Sequence, residues 1–373
     1  MKYYFIAGEA SGDMHAANLI KAIKKIDPDS EFRGFGGDLM KEAGAALFIH
    51  YRDMALMGVI EVLKKYPAIR KNKAWCRRDI LNFKPDALIL VDYSGFNLPM
   101  ARFATDHDIR VIYYISPKLW AWAKWRVKSV RLFVEKMFVI LPFEVDFYKE
   151  HQVNAEYCGN PVLDSITNFE SQYNADEDFR KKNRLVEKPI IALLSGSRKQ
   201  EIDNLLPEMV AVVNHYPDYQ FVVAGAPSVS PDYYEKYLAG TKVGIVYNQT
   251  YHLLKNSSAA IVTSGTATLE TALLKVPEVV VYKTSPITFF IGNFLVKIKY
   301  FSLVNLILDK NVVKELLQKN LSRDIKAELD LLLFDHAYSD EMRHNYELLR
   351  NRLGDPGVAD RVAKRVYHIL NNH

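Results

Sequence analysis

Along the chain, uninterrupted apolar runs of strand length alternate with stretches in which apolar residues recur at helical spacing. KYYFIA, FRGFGG, DALILVD, VIYYIS and KMFVIL occupy the first half, and PIIALLS, YQFVVAGA, KVGIVY, AAIVTS and EVVVYK the second. Strands apolar on both faces and separated by amphipathic helices belong to parallel sheets covered on each side. The pattern therefore predicts an α/β chain of two doubly wound parallel-sheet domains, with about five strands in each. The polar stretch DSITNFESQYNADEDFRKKNRLVEK (164–188) interrupts midway and reads as the crossover. Expected boundaries are residues 1–165 for an N-terminal domain, 186–340 for a C-terminal domain, and 341–373 for closing helices that pack back on the first domain. At 373 residues the chain suits two cores of about 150 residues better than one.

In open α/β sheets, ligands bind beyond the C-terminal strand ends, and the unusual residues cluster there. The loops are GEASGD (8–13), GFGGD (34–38), VDYSGFN (91–97), LLSGSRKQE (193–201) and VTSGTATLE (262–270). Three lie in the first half and two in the second, so a ligand held in a cleft between the domains would touch both sets. In SGTATLETALL, backbone N–H groups of Ser264, Gly265, Thr266, Ala267 and Thr268 open an alanine-rich helix, where a diphosphate gains hydrogen bonds and a favourable dipole. Glu270 falls one turn inside that helix, off the capping-box spacing, and is free for a ribose diol; an ordinary capped helix with a solvated Glu is the plainer alternative. In the other loop, Ser195 and Gly196 precede Ser197 and Gln200, which match a capping box and start a helix at Arg198. Arg198 and Lys199 then sit in the first turn, which disfavours each by about 0.3–1 kcal/mol unless a phosphate binds or water solvates them. Neither a Walker A motif nor a complete GxGxxG is present, so ATP and NAD lose ground to a nucleotide sugar.

GEASGD is bare, so a sugar or another backbone can come close. Ser11 is placed to cap the helix that follows, next to Gly12, and Asp13 suits its first turn. Asp13 is thus either structural or a rival for acid-base work. Glu9 precedes the cap and has no such duty.

The net charge of +5 leans basic but falls short of a dedicated nucleic-acid binder, so where the charge sits matters more than its sum. VIEVLKKYPAIRKNKAWCRRD (59–79) joins Val59, Ile60, Val62 and Leu63 to a run beginning with Lys64 and Lys65, seven Lys or Arg without an acid. This reads either as an interfacial membrane anchor or as an amphipathic helix with a solvated basic face. TFFIGNFLVKIKYF (288–301) repeats the combination, and the two favour a lipid over nucleic acid. The longest apolar stretch, thirteen residues at 284–296, falls short of the roughly 20 needed to span a bilayer. The opening MKYYFIAGEASGD is too poor in apolar residues for an export signal, and Cys76 and Cys158 are too far apart for a CxxC, so a reducing cytoplasm is expected. SPKLWAWAKWR (116–126) holds three of four Trp, as core or as groove lining. DPD (27–29) imitates a metal-binding DxD but falls between helix and strand, as a turn.

Taken in order, GEASGD, GFGGDLM, LMGVIEVL, SPKLWAWAKWR, LPFE (141–144), CGNPVLD (158–164), SGSRKQE and SGTATLE resemble the lipid-A-disaccharide synthases, glycosyltransferases of GT-B fold. The resemblance runs from residue 6 to about 320 and implies transfer of diacylglucosamine from its UDP form to diacylglucosamine 1-phosphate. The product would be a β-1′,6-linked disaccharide, made at the cytoplasmic face of an anionic inner membrane by a peripheral enzyme without cofactor, metal or nucleic acid; a homodimer stays open. Where that family commonly reads DAPDFN this chain reads DYSGFN (92–97), so Asp92 keeps the first carboxylate, Gly95 stands in place of the second, and Asn97 matches. Near the end, Asn305, Glu315 and Gln318 match a PN and PE-x-x-Q element without its prolines, and would hold uridine or donor sugar.

Inverting displacement at an anomeric carbon needs one base for the attacking hydroxyl, while a departing nucleotide diphosphate needs charge neutralisation rather than an acid. Asp92 is the first candidate base, with Glu9 and Asp13 as rivals or acceptor positioners. A UDP-sugar 2-epimerase shares the architecture but needs no apolar basic patches. A non-enzymatic lipid carrier explains the patches but not two phosphate loops.

Overall fold

The computed structural model describes residues 1–54, 66–174, 179–283 and 299–372. The chain forms two compact units, Met1–Pro161 with Asp355–His373, and Val162–Gly354.

The first unit is a sheet of seven parallel strands, β1 (Lys2–Ala7), β2 (Glu31–Gly36), β3 (Ala46–His50), β4 (Ala87–Val91), β5 (Arg110–Tyr114), β6 (Lys136–Val139) and β7 (Ala155–Tyr157), in the order 3-2-1-4-5-6-7. Alternation along each strand feeds two cores. Tyr3, Phe5, Ala7, Ile89 and Val91 face the helices Ala10–Ile26 and Val358–Asn371. Tyr4, Ile6, Leu88 and Leu90 face Cys76, Ile80 and Met100 on the other side. A strand that serves two cores has no polar face, which is why these segments read as continuous apolar runs.

The helix Val358–Asn371 packs directly on Ala10–Ile26. Val358, Val362 and Val366 are buried there, each contributing roughly 1.5–3 kcal/mol. Arg365 to Glu156 (2.8 and 2.9 Å) and Lys25 to Asp360 (2.9 Å) lie at the exposed rim and add at most about 1 kcal/mol apiece. The preceding helix, His336–Leu353, stays with the second unit.

The second unit has six parallel strands, β8 (Ile190–Leu194), β9 (Gln220–Gly225), β10 (Gly244–Tyr247), β11 (Ser257–Thr263), β12 (Glu278–Tyr282) and β13 (Lys314–Leu317), ordered 10-9-8-11-12-13. Seven and six strands replace the expected five and five, and the additions, β3, β7 and β13, are all edge strands. The polar stretch 164–188 contains much of the helix Pro161–Gln172 and the helix Phe179–Lys182 rather than a bare linker. Asp27 to Ser30 form a turn, with Ser30 N–H donating to Asp27 C=O at 3.1 Å.

Strand order reverses between β1 and β4 in one unit and between β8 and β11 in the other. Loops at such switch points have room beside them, because their helices lie on opposite faces of the sheet. GEASGD and DYSGFN occupy the first switch point, and SGSRKQE and SGTATLE the second. The apolar basic residues Val59, Ile60, Val62, Leu63, Lys64 and Lys65, and the stretch 284–298, lie outside the described residues. Among the described residues, no helix is long and apolar enough to cross a membrane.

Candidate functional site

The first switch point is built on two consecutive left-handed residues, Asp92 (φ 43°) and Tyr93 (φ 47°). Neither is glycine, so each costs on the order of 1–3 kcal/mol, which neighbouring contacts offset. Asn97 is fully buried and donates through Nδ2 to Asp92 C=O (2.8 Å) and Val91 C=O (3.1 Å), and Tyr113 hydroxyl also donates to Asp92 C=O. Asp92 N–H reaches Ile115 C=O at 3.2 Å, and Ile115 is itself left-handed at φ 64°. Asn97 therefore clamps the turn from behind, its amide buried in the core.

The clamped turn presents Asp92 with one side open to solvent. Loss of hydration nonetheless pushes its pKa up to about 6, Glu9's negative charge adds to the rise, and Lys118 and the Tyr93 N–H oppose it. A carboxylate so placed is poised to take a proton near neutral pH.

The opposing loop is bare for a different reason than ligand approach alone. A Cβ on Gly8 would collide with the Tyr93 ring, whereas one on Gly12 would meet Ala7 and Val91 only in ordinary contact. Gly8 lets Tyr93 lie across the strand end; the helix starts at Ala10, so Glu9 takes the N-cap position with no side-chain cap bond, and exposed Ser11 falls inside the helix. Ser11 is therefore not the cap. Asp13 is buried and accepts from Gly37 (2.7 Å), Leu39 (3.1 Å) and Met40 (3.1 Å), so its carboxylate caps the helix Asp38–Glu42. That occupation leaves Asp13 a tie between GEASGD and GFGGD rather than an acid or base.

Glu144 of LPFE anchors a neighbouring loop. It is buried and accepts from Ser116 Oγ (2.7 Å), Trp120 Nε1 (3.0 Å), Leu141 N (3.0 Å) and Ile140 N (3.2 Å). Burial raises its pKa and these donors oppose the rise. Glu144 thus fastens the SPKLWAW loop, which carries Lys118, and Trp120 is a pillar of that loop, edge-on to Phe143 at 5.1 Å.

In the second unit, the helix expected to start at Arg198 runs Lys199–Val210, with Arg198 as N-cap. The cap is Glu201, not Gln200: its Oε2 accepts from Ser197 N (2.9 Å) and Arg198 N (3.2 Å). Gly196, left-handed at φ 103°, makes this possible, since a Cβ there would strike the Glu201 carboxylate. The Ser197 and Arg198 N–H groups are consequently spent, while the Arg198 guanidinium stays 55% exposed, 3.8 Å from Glu201.

Gly265 is the N-cap of the helix Thr266–Leu273, with open space where its Cβ would project. Thr266 is exposed and Ala267 half-buried. Thr268 turns inward, donating from N–H (3.3 Å) and Oγ1 (2.9 Å) to Gly265 C=O. Ser264 Oγ donates to Phe301 C=O at 2.7 Å. Glu270 accepts from Tyr251 hydroxyl at 2.7 Å, and burial raises its pKa against that bond. Ser195 and Thr263 follow Leu194 and Val262, which are paired in register, and both their hydroxyls are buried without a hydrogen-bond partner among the described residues. Leftover buried donors at a switch point are the kind of exception a bound group explains.

Asn305 and Glu315 are consumed internally. Asn305 is fully buried, accepts from Val312 N (2.8 Å) and Val313 N (3.0 Å), and donates to Val313 C=O (2.9 Å) and Glu315 Oε1 (2.8 Å). Glu315 also accepts from Phe301 N (2.8 Å) and Ser302 N (2.9 Å). With every polar atom so engaged, these two knit a loop together. Gln318, left-handed at φ 66°, stands at the C-terminal end of β13, half-buried.

The chain matches the family described as Lipid-A-disaccharide synthetase over residues 3–363. It belongs to the lipid-A-disaccharide synthase family. Relatives bearing that name include proteins of Geobacter sulfurreducens (36% identical, covering 98% of this chain and 96% of the relative) and Myxococcus xanthus (37%, 98% and 96%). A third, from Coxiella burnetii, is 35% identical over 98% of this chain and 97% of its own. Two solved structures share the fold at low identity. One is a Neisseria meningitidis UDP-GlcNAc 2-epimerase bound to UDP-GlcNAc (TM-score 0.71, 13% identical, 99% and 100% covered). The other is the calicheamicin glycosyltransferase CalG4 (TM-score 0.62, 12% identical, 100% and 98% covered). As a lipid-A-disaccharide synthase family member, the chain is a glycosyltransferase of lipid A biosynthesis with the GT-B fold.

Proposed function

We propose that the enzyme transfers 2,3-diacylglucosamine from its UDP form to 2,3-diacylglucosamine 1-phosphate, with inversion, giving the β-1′,6-linked disaccharide 1-phosphate and UDP. Asp92 carries this reading: it takes the proton from the acceptor's 6-hydroxyl, and a pKa near 6 leaves it ionised at neutral pH yet basic enough to work. Glu9 holds that proton affinity up and helps to orient the hydroxyl. Asp13 and Asn97 serve the shape of the site.

The leaving diphosphate is neutralised by the Arg198 guanidinium and by N–H groups of Gly265, Thr266 and Ala267, an arrangement that needs no general acid. Ser195 and Thr263 stand behind it as buried donors, and Glu270, with one oxygen on Tyr251, offers the other to the ribose. Gln318 completes the uridine side. The segment from Val59 to Lys65 draws the enzyme to an anionic membrane surface, where both acylated substrates reside.

Mixing the protein with both acylated glucosamines and analysing products by mass spectrometry tests the reaction. A disaccharide 1-phosphate with stoichiometric UDP is expected. UDP release without a disaccharide, or an epimerised donor, would overturn the reading.

A further inference from the structure

A groove of about 600 Å³ runs along the helix Ser94–Thr105, with the helices Tyr66–Phe83 and Val127–Phe133 contributing its walls. None of the functional assignments above uses it. Its lining carries three guanidiniums, Arg77, Arg102 and Arg126, against one carboxylate, Asp106. Asp106 lies 3.7 Å from Arg102, and the lining as a whole holds two more guanidiniums than carboxylates. Arg126 donates to Ser94 Oγ at 3.5 Å, at the end of the groove nearest Asp92. Arg77 lies over the Phe103 ring, 5.4 Å from its centroid. Lys73, one turn before Arg77, is half-buried, and its pKa is lowered first by lost hydration and then by the charges of Arg77 and Arg126. Cations crowded until they disfavour one another's charge are relieved by an anion.

Leu98, Pro99, Phe103 and Phe133 add apolar wall, beside Ser94 and Ser129. Gly95 leaves the near end open, with no atom within 4 Å of where a Cβ would sit. Basic groups above apolar walls fit an anionic amphiphile. Ser94 and Gly95 follow Asp92 by two and three residues. In a hexosamine 1-phosphate a single ring separates the phosphate from the 6-hydroxyl.

We propose that this groove seats the phosphate monoester of the acceptor, with Arg126 and Arg77 as its ligands and an acyl chain against the apolar walls. Planar guanidiniums suit this task because they grip phosphate oxygens in pairs. The assignment rests on the acceptor being a sugar 1-phosphate, and it explains how the 6-hydroxyl is brought to the base.

The test compares two acceptors in neutral detergent micelles, diacylglucosamine 1-phosphate and the same sugar without its phosphate, on the wild type and on Arg126→Ala, Arg77→Gln and the conservative Arg126→Lys. Wild-type enzyme should prefer the phosphorylated acceptor. Arg126→Ala should lose roughly 10- to 100-fold in kcat/KM for that acceptor, mostly through KM, with little change for the other acceptor or for the UDP donor's KM. Arg126→Lys should recover part of the loss, and Arg77→Gln should show a smaller loss of the same selectivity. Equal losses with both acceptors would overturn the proposal, because a structural defect cannot tell them apart. Losses confined to anionic vesicles would overturn it too, assigning the arginines to the lipid surface. If the wild type makes no disaccharide from either acceptor, the failure lies instead with the proposed reaction.

Discussion

The second-unit loops around Glu315 and Glu201 and the first-unit turn at Asp92 handle their carboxylates in opposite ways. In the second unit, Glu315 is ringed by three N–H donors and Glu201 by two, so negative charge is consumed in holding loops. In the first, Asp92 has lost water and gained a negative neighbour, Glu9, on a turn whose backbone is strained. A carboxylate ringed by donors is architecture, whereas one deprived of water beside another acid is prepared to accept a proton. Asp13 sharpens the contrast, because it lies a few residues from Glu9 and yet belongs to the first kind.

Breaking the contrast at its reactive end should have the largest effect. Asp92→Asn is expected to lower turnover about 10²-fold or more while leaving UDP affinity, measured by calorimetry, nearly unchanged. On the architectural side, Asn305→Ala would remove one of the three donors to Glu315 and strand the Val312 and Val313 N–H groups. A loss of about 3 kcal/mol in denaturant unfolding is expected, with turnover per folded molecule largely preserved. Smaller again, Arg198→Ala should weaken UDP binding by about tenfold, a little over 1 kcal/mol; unchanged affinity would return that guanidinium to the solvated surface.

The smallest effect concerns stability and carries a definite sign. A folded-state pKa raised above the unfolded value means that ionised Asp92 costs stability as pH rises through about 6, and that the cost is absent below the unfolded pKa. Asp92→Asn should therefore be more stable than wild type at pH 8, by about 1 kcal/mol once solvent on the open side of the carboxylate is allowed for. The gain should shrink towards pH 5. Thermal melts at both pH values check this, and a variant less stable than wild type at pH 8 would speak against a strained, desolvated charge.

How far the sequence announces all this depends on where each residue's partners lie. Interior strands such as KYYFIA and AAIVTS were legible because burial on two faces removes every polar position. Of the edge strands KVGIVY was legible and three others were not: ALFIH is only partly buried, AEY spans three residues, and KELL mixes charge with Leu. A strand with one neighbour need not keep a simple pattern. The functional loops were legible from their small residues and their position after strands. Which acids they leave available was not, because Asp13 finds its donors 24 to 27 positions away and Glu315 finds two of its own 13 and 14 positions back. Glu201 was missed for a subtler reason. The Ser197 and Gln200 spacing satisfied a capping rule one register early, and only the left-handed Gly196 moves the cap to Glu201.

The pH dependence of kcat/KM tests the central claim most directly, because it reads the proton affinity of the base in the free enzyme. Activity should fall on the acid side with an apparent pKa near 6, and Glu9→Gln, which removes the charge that helps to raise Asp92, should move that limb to lower pH. An acid limb that stays in place in Glu9→Gln, or that survives in Asp92→Asn, would contradict the account.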